Sequence, residues 1–435
     1  VKDYIQLLRG NRDFSLLWMA QVVSLTGDWF NTIVLSTLVA RYSDGSGLAV
    51  SLYLMARFLP PLIFGPFAGV LVDRFDRQKI LVYSNIFRTV VVLGFLLATT
   101  PDRLWIIYAL TIVQFTLSAL FEPGQSALTP GLVAKDDLVI ANTLASVTWS
   151  VMLALGAIVG GIFAAIFGAA SALLFDSVTF ALAAWLISRI RVPDVIETVV
   201  DEDDEPQAHD GSFIAGLRYL AANPATAAVL LIKGGSSLGN VDTLMTIYAT
   251  AIFVTQINSQ LSLGLMYSAF GVGAILGPLI LNRFNDGAVH TMRRLVIIGF
   301  IWSFLGWILI GFAGSLLVVA SALIVRGMGG SVNWTYSSVI VQKSVPDRYL
   351  GRVFSLDLAI FQLATVLSIV VHGGLVDLVR SQVTSVWYLH IPDVFTASDV
   401  TYRWLTLRID DLALIAFGTA LVSAVPLMLW SFVVI

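Results

Sequence analysis

The chain has 435 residues, 57% of them hydrophobic and 12% charged, with a net charge of −3 and no cysteine. Ordinary soluble domains carry about a quarter charged residues, so this composition excludes a water-soluble enzyme, and the missing thiols exclude disulfides and thiolate metal sites. Apolar stretches recur along nearly the whole chain; twelve crossings of about 20 to 25 residues would use almost all of it and leave no room for a large soluble domain.

In chain order, Lys2, Arg9 and Arg12 precede an apolar run that is too long for a signal peptide and lacks a small-residue cleavage site, so the first helix is expected to be retained. Hydropathy and breaker residues predict helices at about 15–40, 48–72, 79–99, 103–133, 139–168 and 171–189. A second six follow at about 225–254, 262–282, 293–313, 315–343, 350–374 and 411–435. Between the two sets, residues 190–224 hold the acidic run from Asp201 to Glu205 and read as a solvated linker. Near the other end, the loop at about 375–410 mixes Trp387, Tyr388, Tyr402 and Trp404 with Arg403 and Arg408, a composition suited to an interfacial segment on the outer face. The expected fold class is therefore all-α and polytopic: a bundle over 1–189, a cytoplasmic linker over 190–224 and a second bundle over 225–435.

With these spans, 16 of the 25 Lys and Arg residues fall on the side of the N-terminus and 5 on the opposite side, with the remaining 4 (Arg57, Arg88, Lys233 and Arg326) inside spans. The positive-inside rule then places both termini in the cytoplasm. The halves also resemble each other: Ser51-Leu52-Tyr53-Leu54-Met55 returns as Ser262-Leu263-Gly264-Leu265-Met266, Gly65-Pro66 as Gly277-Pro278, and Asp73-Arg74-Phe75 as Asn282-Arg283-Phe284. A half-chain repeat points to a duplicated transporter in which two pseudo-symmetric six-helix bundles meet at a central site.

Polar residues inside lipid spans are costly, and their helical spacing shows which face is shielded. Gln21, Ser24, Asp28 and Asn31 share one face of the first helix. Thr111, Gln114, Ser118, Glu122 and Gln125 share one face of the fourth, Ser236, Asn240 and Thr243 of the seventh, and Arg326, Gly330, Asn333 and Ser337 of the tenth. Helices one, four, seven and ten are equivalent members of a three-helix repeat, so the stripes are read as lining a shared cavity. Small residues at GxxxG spacing (Gly65/Gly69, Gly156/Gly160 and Gly273/Gly277) are read as helix-packing contacts. No Gly-Lys dipeptide, HExxH or spaced His set occurs, so neither an enzyme nor an ATP-driven pump has a motif to stand on, and no metal or cofactor is expected. Duplicated halves and buried ionisable groups fit alternating exposure better than an open pore.

Gly69, Asp73, Arg74, Phe75, Asp76, Arg77, Gln78 and Lys79, after the second helix, closely resemble the G-x-x-x-D-R-x-G-R-[RK] signature of the major facilitator superfamily, with Asp76 in place of Gly. Phe58-Leu59-Pro60 with Gly65-Pro66, the stretch Pro123 to Val133, and Pro346 to Ser355 look like the macrolide-efflux branch of drug:proton antiporters. The resemblance implies export of an amphiphilic compound against proton entry, with siderophore or lipid export in related branches; an uncoupled uniporter or a channel is the alternative from another class. It also implies a conformational latch at Gly69, Asp73, Arg74, Arg77 and Lys79, with Asp73 facing a helix N-terminus and the cations holding cytoplasmic carboxylates. Gln78 before Lys79 is another departure, and two further motifs are imperfect: Gln114 replaces the Arg of the fourth helix, with Arg326 at the pseudo-equivalent place, and Gly156-Ala157-Ile158-Val159-Gly160-Gly161 carries Ala157 where the antiporter signature has Pro.

Mid-span carboxylates on the stripes make Glu122 and Asp28 the proton-coupling candidates, with Arg326 as counter-charge across the cavity and Pro123 bending the fourth helix. Asp176, Asp242 and Asp357 rank second, Lys233 is expected to snorkel, and Arg57 and Arg88 lack a partner visible in sequence. Gln21, Ser24, Asn31, Gln114, Ser118, Asn240 and Asn333, with the aromatics Trp29, Phe121, Trp334 and Tyr336, are the candidates for touching substrate. The expected partners are the lipid bilayer, protons and an amphiphilic small molecule, with no nucleic acid; the protein is expected to work as a monomer in a bacterial inner membrane.

Overall fold

The computed structural model describes residues 2–134, 137–191, 213–239, 242–253, 258–382, 387–389, 407–409 and 411–434. A short amphipathic helix that hydropathy does not single out, α1 (Lys2–Gly10), precedes α2 (Arg12–Tyr42). Asn11 separates them by capping α2, its side chain accepting from Phe14 N, and by donating 2.5 Å to the Leu132 carbonyl. Then follow α3 (Gly47–Arg74) and α4 (Arg77–Gly94), started by the caps Ser46 and Asp76, whose oxygens accept from Ala49 N and Lys79 N.

The fourth span is broken into α5 (Leu104–Ser118) and α6 (Phe121–Leu128). Pro123 has no N–H to give the Ala119 carbonyl, and the break falls at residues 119–120, one turn ahead of it. The fifth and sixth spans form one continuous run, α7 (Leu138–Ser188), reversed at Gly168, whose φ of 84° favours glycine.

Residues 213–222 of the expected linker form a helix, α8 (Phe213–Ala222), which docks by stacking Tyr219 on Tyr349 at 4.6 Å. The acidic run lies outside the described residues. The seventh span, expected to be continuous, is interrupted: α9 (Pro224–Ser237) stops, α10 (Asp242–Ile247) resumes, and a π-helical turn covers Tyr248–Ile252. Gly234, Gly235 and Gly239 weaken the helix there. The remaining spans are α11 (Ser259–Leu281), α12 (Val289–Gly311), α13 (Leu316–Ser344), α14 (Asp347–Gln382) and α15 (Asp411–Val434). Helix α14 runs two turns past its expected end, so Asp377 is helical and not in the outer loop. From that loop, β1 (Trp387–Leu389) and β2 (Leu407–Ile409) pair antiparallel, Trp387 opposite Ile409; Tyr402, Arg403 and Trp404 lie outside the described residues.

Among the described residues ten helical segments are long and apolar enough to cross a membrane by length and composition. The run over Ile140–Ser188 holds two crossings joined at Gly168, and the interrupted seventh span adds one, which gives the twelve expected.

Among the described residues the two halves share a core at one end only. There, at the end carrying the turn 43–46, Phe30, Ile33 and Tyr53 cluster with Leu263, Tyr267 and Val376. Gly161 brings α7 against α11; a Cβ on it would lie 2.8 Å from the Gln260 carbonyl. Asp377 crosses between halves to the start of α3, accepting from Gly47 N at 2.7 Å, Leu48 N at 3.0 Å and Ser46 Oγ at 2.8 Å. Ser51 bonds Thr243 at 3.2 Å and the Ile369 carbonyl at 2.6 Å. At the opposite end the apolar clusters each belong to a single half: Leu17, Leu81, Phe121 and Ile187 in the first, Val229, Met292, Tyr336 and Trp430 in the second.

Candidate transport site

The first half is organised around charges. Arg88 on α4 donates to both carboxylate oxygens of Asp28 on α2, at 2.8 and 3.1 Å, and lies 3.8 Å from the centre of the Phe180 ring. Asp28 thus reaches a partner inside its own bundle. Three residues on, Asn31 donates 2.9 Å to Asp176 on α7, with Gln114 of α5 at 3.5 Å behind it. Asp176 is fully buried, and its second carboxylate oxygen has no hydrogen-bond partner. Arg57, on α3, donates 2.6 Å to Thr32 and lies over the ring of Phe115 at 5.1 Å. Sequence spacing hid these pairings because each joins residues 25 to 145 positions apart on different helices. The side chain of Glu122 lies outside the described residues.

The polar stripes join helices as well as lining space. Gln125 donates 2.8 Å to Gln21, tying the fourth span to the first, and Asn333 donates 3.0 Å to Ser236, tying the tenth to the seventh. Ser24 and Ser118 turn back to the carbonyls of Gln21 and Gln114 on their own helices. Asn240 lies outside the described residues. Arg326, the expected counter-charge, is anchored within its own half. It donates to the carbonyls of Ser236 (2.8 Å) and Gly239 (3.1 Å), where the interrupted seventh span leaves helix-end acceptors open.

Lys233, expected to snorkel, is buried and ion-paired with Asp357 on α14, their side chains 5% and 2% exposed. Its ammonium lies 4.4 Å from the ring of Trp334, which is itself 43% exposed and packs edge-on against Phe361 at 4.9 Å. The other aromatic candidates are occupied in packing. Trp29 crosses to Tyr267 at 5.3 Å, Phe121 is buried beside Leu81, and Tyr336 is buried in the second half.

In the loop signature, the surroundings of Gly69 and the side chain of Asp73 lie outside what the structure describes, and Arg74 is exposed. Of the other cations, Arg77 donates 2.8 Å to the Ala127 carbonyl, and Lys79 pairs at 3.4 Å with the Asp76 carboxylate of its own turn. Gln78, in place of the usual cation, donates at 2.8 Å to the carbonyls of Ile187 and Ile190. Open carbonyls at helix C-termini attract such donors. Gly156 meets Trp29, Gly160 meets Phe30, and Gly273 and Gly277 meet α13, all as packing contacts. A Cβ on Gly65, by contrast, would meet nothing within 4 Å among the described residues.

Comparison with known proteins fits this architecture. The chain is 26% identical over 388 residues to YfiS of Bacillus subtilis (strain 168), an uncharacterized transporter of the major facilitator type, covering 85% of this chain and 88% of the relative. It is 25% identical to macrolide efflux protein A of Streptococcus pyogenes, covering 84% and 89%. The crystal structure of a bacterial homologue of the human lysosomal transporter Spinster, inward-facing and unoccupied, superposes with a TM-score of 0.70 at 11% identity over 97% of each chain, which bears on the fold alone. The model of the transmembrane secretion effector family matches residues 8–391. The chain therefore belongs to that family of the major facilitator superfamily, and is a membrane transporter, not an enzyme.

Proposed function

We propose that the chain exports an amphiphilic, drug-like molecule in exchange for protons by alternating access, working as a monomer in a bacterial inner membrane with both termini cytoplasmic. In that orientation the shared core faces outside and the separated end opens to the cytoplasm, an arrangement ready to take up cargo from within. The two bundles, 1–189 and 225–435, then rock about the interrupted helices as units joined by the 190–224 linker, and the 69–79 loop latches the cytoplasmic side when it closes.

The observation that carries the proton reading is the buried Asp176 carboxyl beside the Asp28–Arg88 pair inside the lipid-embedded bundle. A carboxyl there is retained for use or held by a partner, and Asp176 keeps an oxygen with neither. Glu122 and Asp28 remain the proposed carriers, and Asp176 joins them. The name of the Streptococcus relative supports outward transport of a drug. Siderophore or lipid export by the same cycle is the second reading.

In proteoliposomes an imposed proton gradient should drive uphill accumulation of the exported compound. Transport at an unchanged rate after collapse of the gradient would instead favour a uniporter, and currents far above carrier turnover a channel.

A further inference from the structure

The Lys233–Asp357 pair belongs to the second half, where the proton reading has no use for it. The pair and the Trp334 ring beside it lie at one depth: Lys233 is about 14 Å from the start of α9, Asp357 about 15 Å from the start of α14 and Trp334 about 15 Å from the end of α13. All three distances are measured from the end at which the halves part. We propose that Lys233, Asp357 and Trp334 form a subsite for an organic cation, in which the Lys233 ammonium is a built-in occupant that the positive group of the substrate replaces.

The two partners differ in freedom to step aside. Asp357 has a one-carbon stem, is buried, and keeps a second oxygen without any hydrogen-bond partner. Lys233 has a flexible four-carbon stem that can swing its charge toward the open end. What Lys233 leaves behind is a carboxylate and a place for a positive charge in reach of the rings of Trp334 and Phe354, whose π faces attract cations, with Phe361 packed edge-on against Trp334. An anion would have to displace the fixed Asp357 instead, so the site takes the positive ligand. The half-exposed Trp334 gives the apolar body of that ligand a flat surface to enter on. This inference rests on the exporter reading and adds the charge of the cargo to it.

The test uses the full chain in detergent, with tetraphenylphosphonium as the probe and tetraphenylborate as its size-matched anion, both by equilibrium dialysis. Lys233→Gln should bind tetraphenylphosphonium at least tenfold tighter than the parent, and Trp334→Leu should bind it several-fold more weakly. Because Lys233→Gln leaves Asp357 buried alone and can fail to fold, the double variant Lys233→Gln with Asp357→Asn carries the decision: it buries no charge and should lose the cation. Parental cation affinity in the double variant, no cation binding by any of these proteins, or a preference for tetraphenylborate that Lys233→Gln abolishes would each overturn the subsite. Export assayed separately in cells tells the two readings apart. A chain that exports without binding the cation here loses only the subsite, and one that binds it but moves nothing loses only the exporter reading.

Discussion

Arg88 and Asp28 meet through two hydrogen bonds donated by one guanidinium nitrogen, at 2.8 and 3.1 Å, with the Arg88 side chain 3% exposed. Removing one partner strands the other charge, so Asp28→Asn or Arg88→Gln alone should lower stability by about 3–5 kcal/mol. The double variant Asp28→Asn with Arg88→Gln should recover most of that loss while leaving export uncoupled from the proton gradient. Thermal unfolding of the three variants, together with gradient-driven uptake, checks both halves of the statement; equal destabilisation by the single and double variants would refute the pairing.

Asp377 holds the two halves together through three donors at the start of α3. Hydrogen bonds to a charged group are worth about 1.5–3 kcal/mol net, so Asp377→Asn should open this end more often without unfolding the chain. Val50 is buried just inside the contact, and the chain has no cysteine of its own. A single Val50→Cys should therefore react slowly with an impermeant maleimide, and several-fold faster when Asp377→Asn is added. An unchanged rate would mean that apolar packing alone keeps this end closed.

How much of this could be read from the chain follows from the range of each signal. Span positions rest on local hydropathy, and they survive in the structure apart from the breaks in the fourth and seventh helices. The fourth break was legible because Pro123 lacks a donor. The seventh was not, because its open carbonyls are held by Arg326, about 90 residues away on another helix. Pairing is likewise a tertiary fact. Asp28 and Arg88 sit on separate helices with nothing in their spacing to join them, as do Lys233 and Asp357, and a stripe shows that a face is shielded but not by what.

Gly161 is a second place where the halves are held close. A valine side chain there would press on the Gln260 carbonyl and the Gly264 backbone, an overpacking that typically costs about 1–3 kcal/mol. The cost falls on the closed arrangement of this end, so Gly161→Val should raise labelling of Val50→Cys while Gly161→Ala raises it less. Labelling that stays at the parental rate in both would show that α7 and α11 have slack to absorb the methyl groups.

Orientation is open to the same chemistry. Asp204→Cys, in the acidic linker, should be silent toward an impermeant maleimide added outside intact cells and reactive once the cells are opened. Labelling from outside would reverse the topology. The closed end would then face the cytoplasm, and the uptake step proposed above would begin from the wrong side.

Asp176 gives the sharpest test of where protons are carried. Asn31 donates to one of its oxygens while the other is unpartnered, and the charged or titratable groups around it are Asp28 and Arg88, with Tyr53 and Arg57 beyond. Asp176→Asn keeps the size of the side chain and an acceptor for Asn31 but can no longer exchange a proton. Downhill movement of the exported compound should persist in this variant, while gradient-driven accumulation falls at least tenfold and its dependence on pH flattens. Glu122→Gln should behave in the same way if the two carboxyls act in series. Should Asp176→Asn keep full uphill transport with the parental pH profile, while Asp28→Asn with Arg88→Gln abolishes it, then the carboxyl paired with Arg88 carries the proton and Asp176 only fixes Asn31.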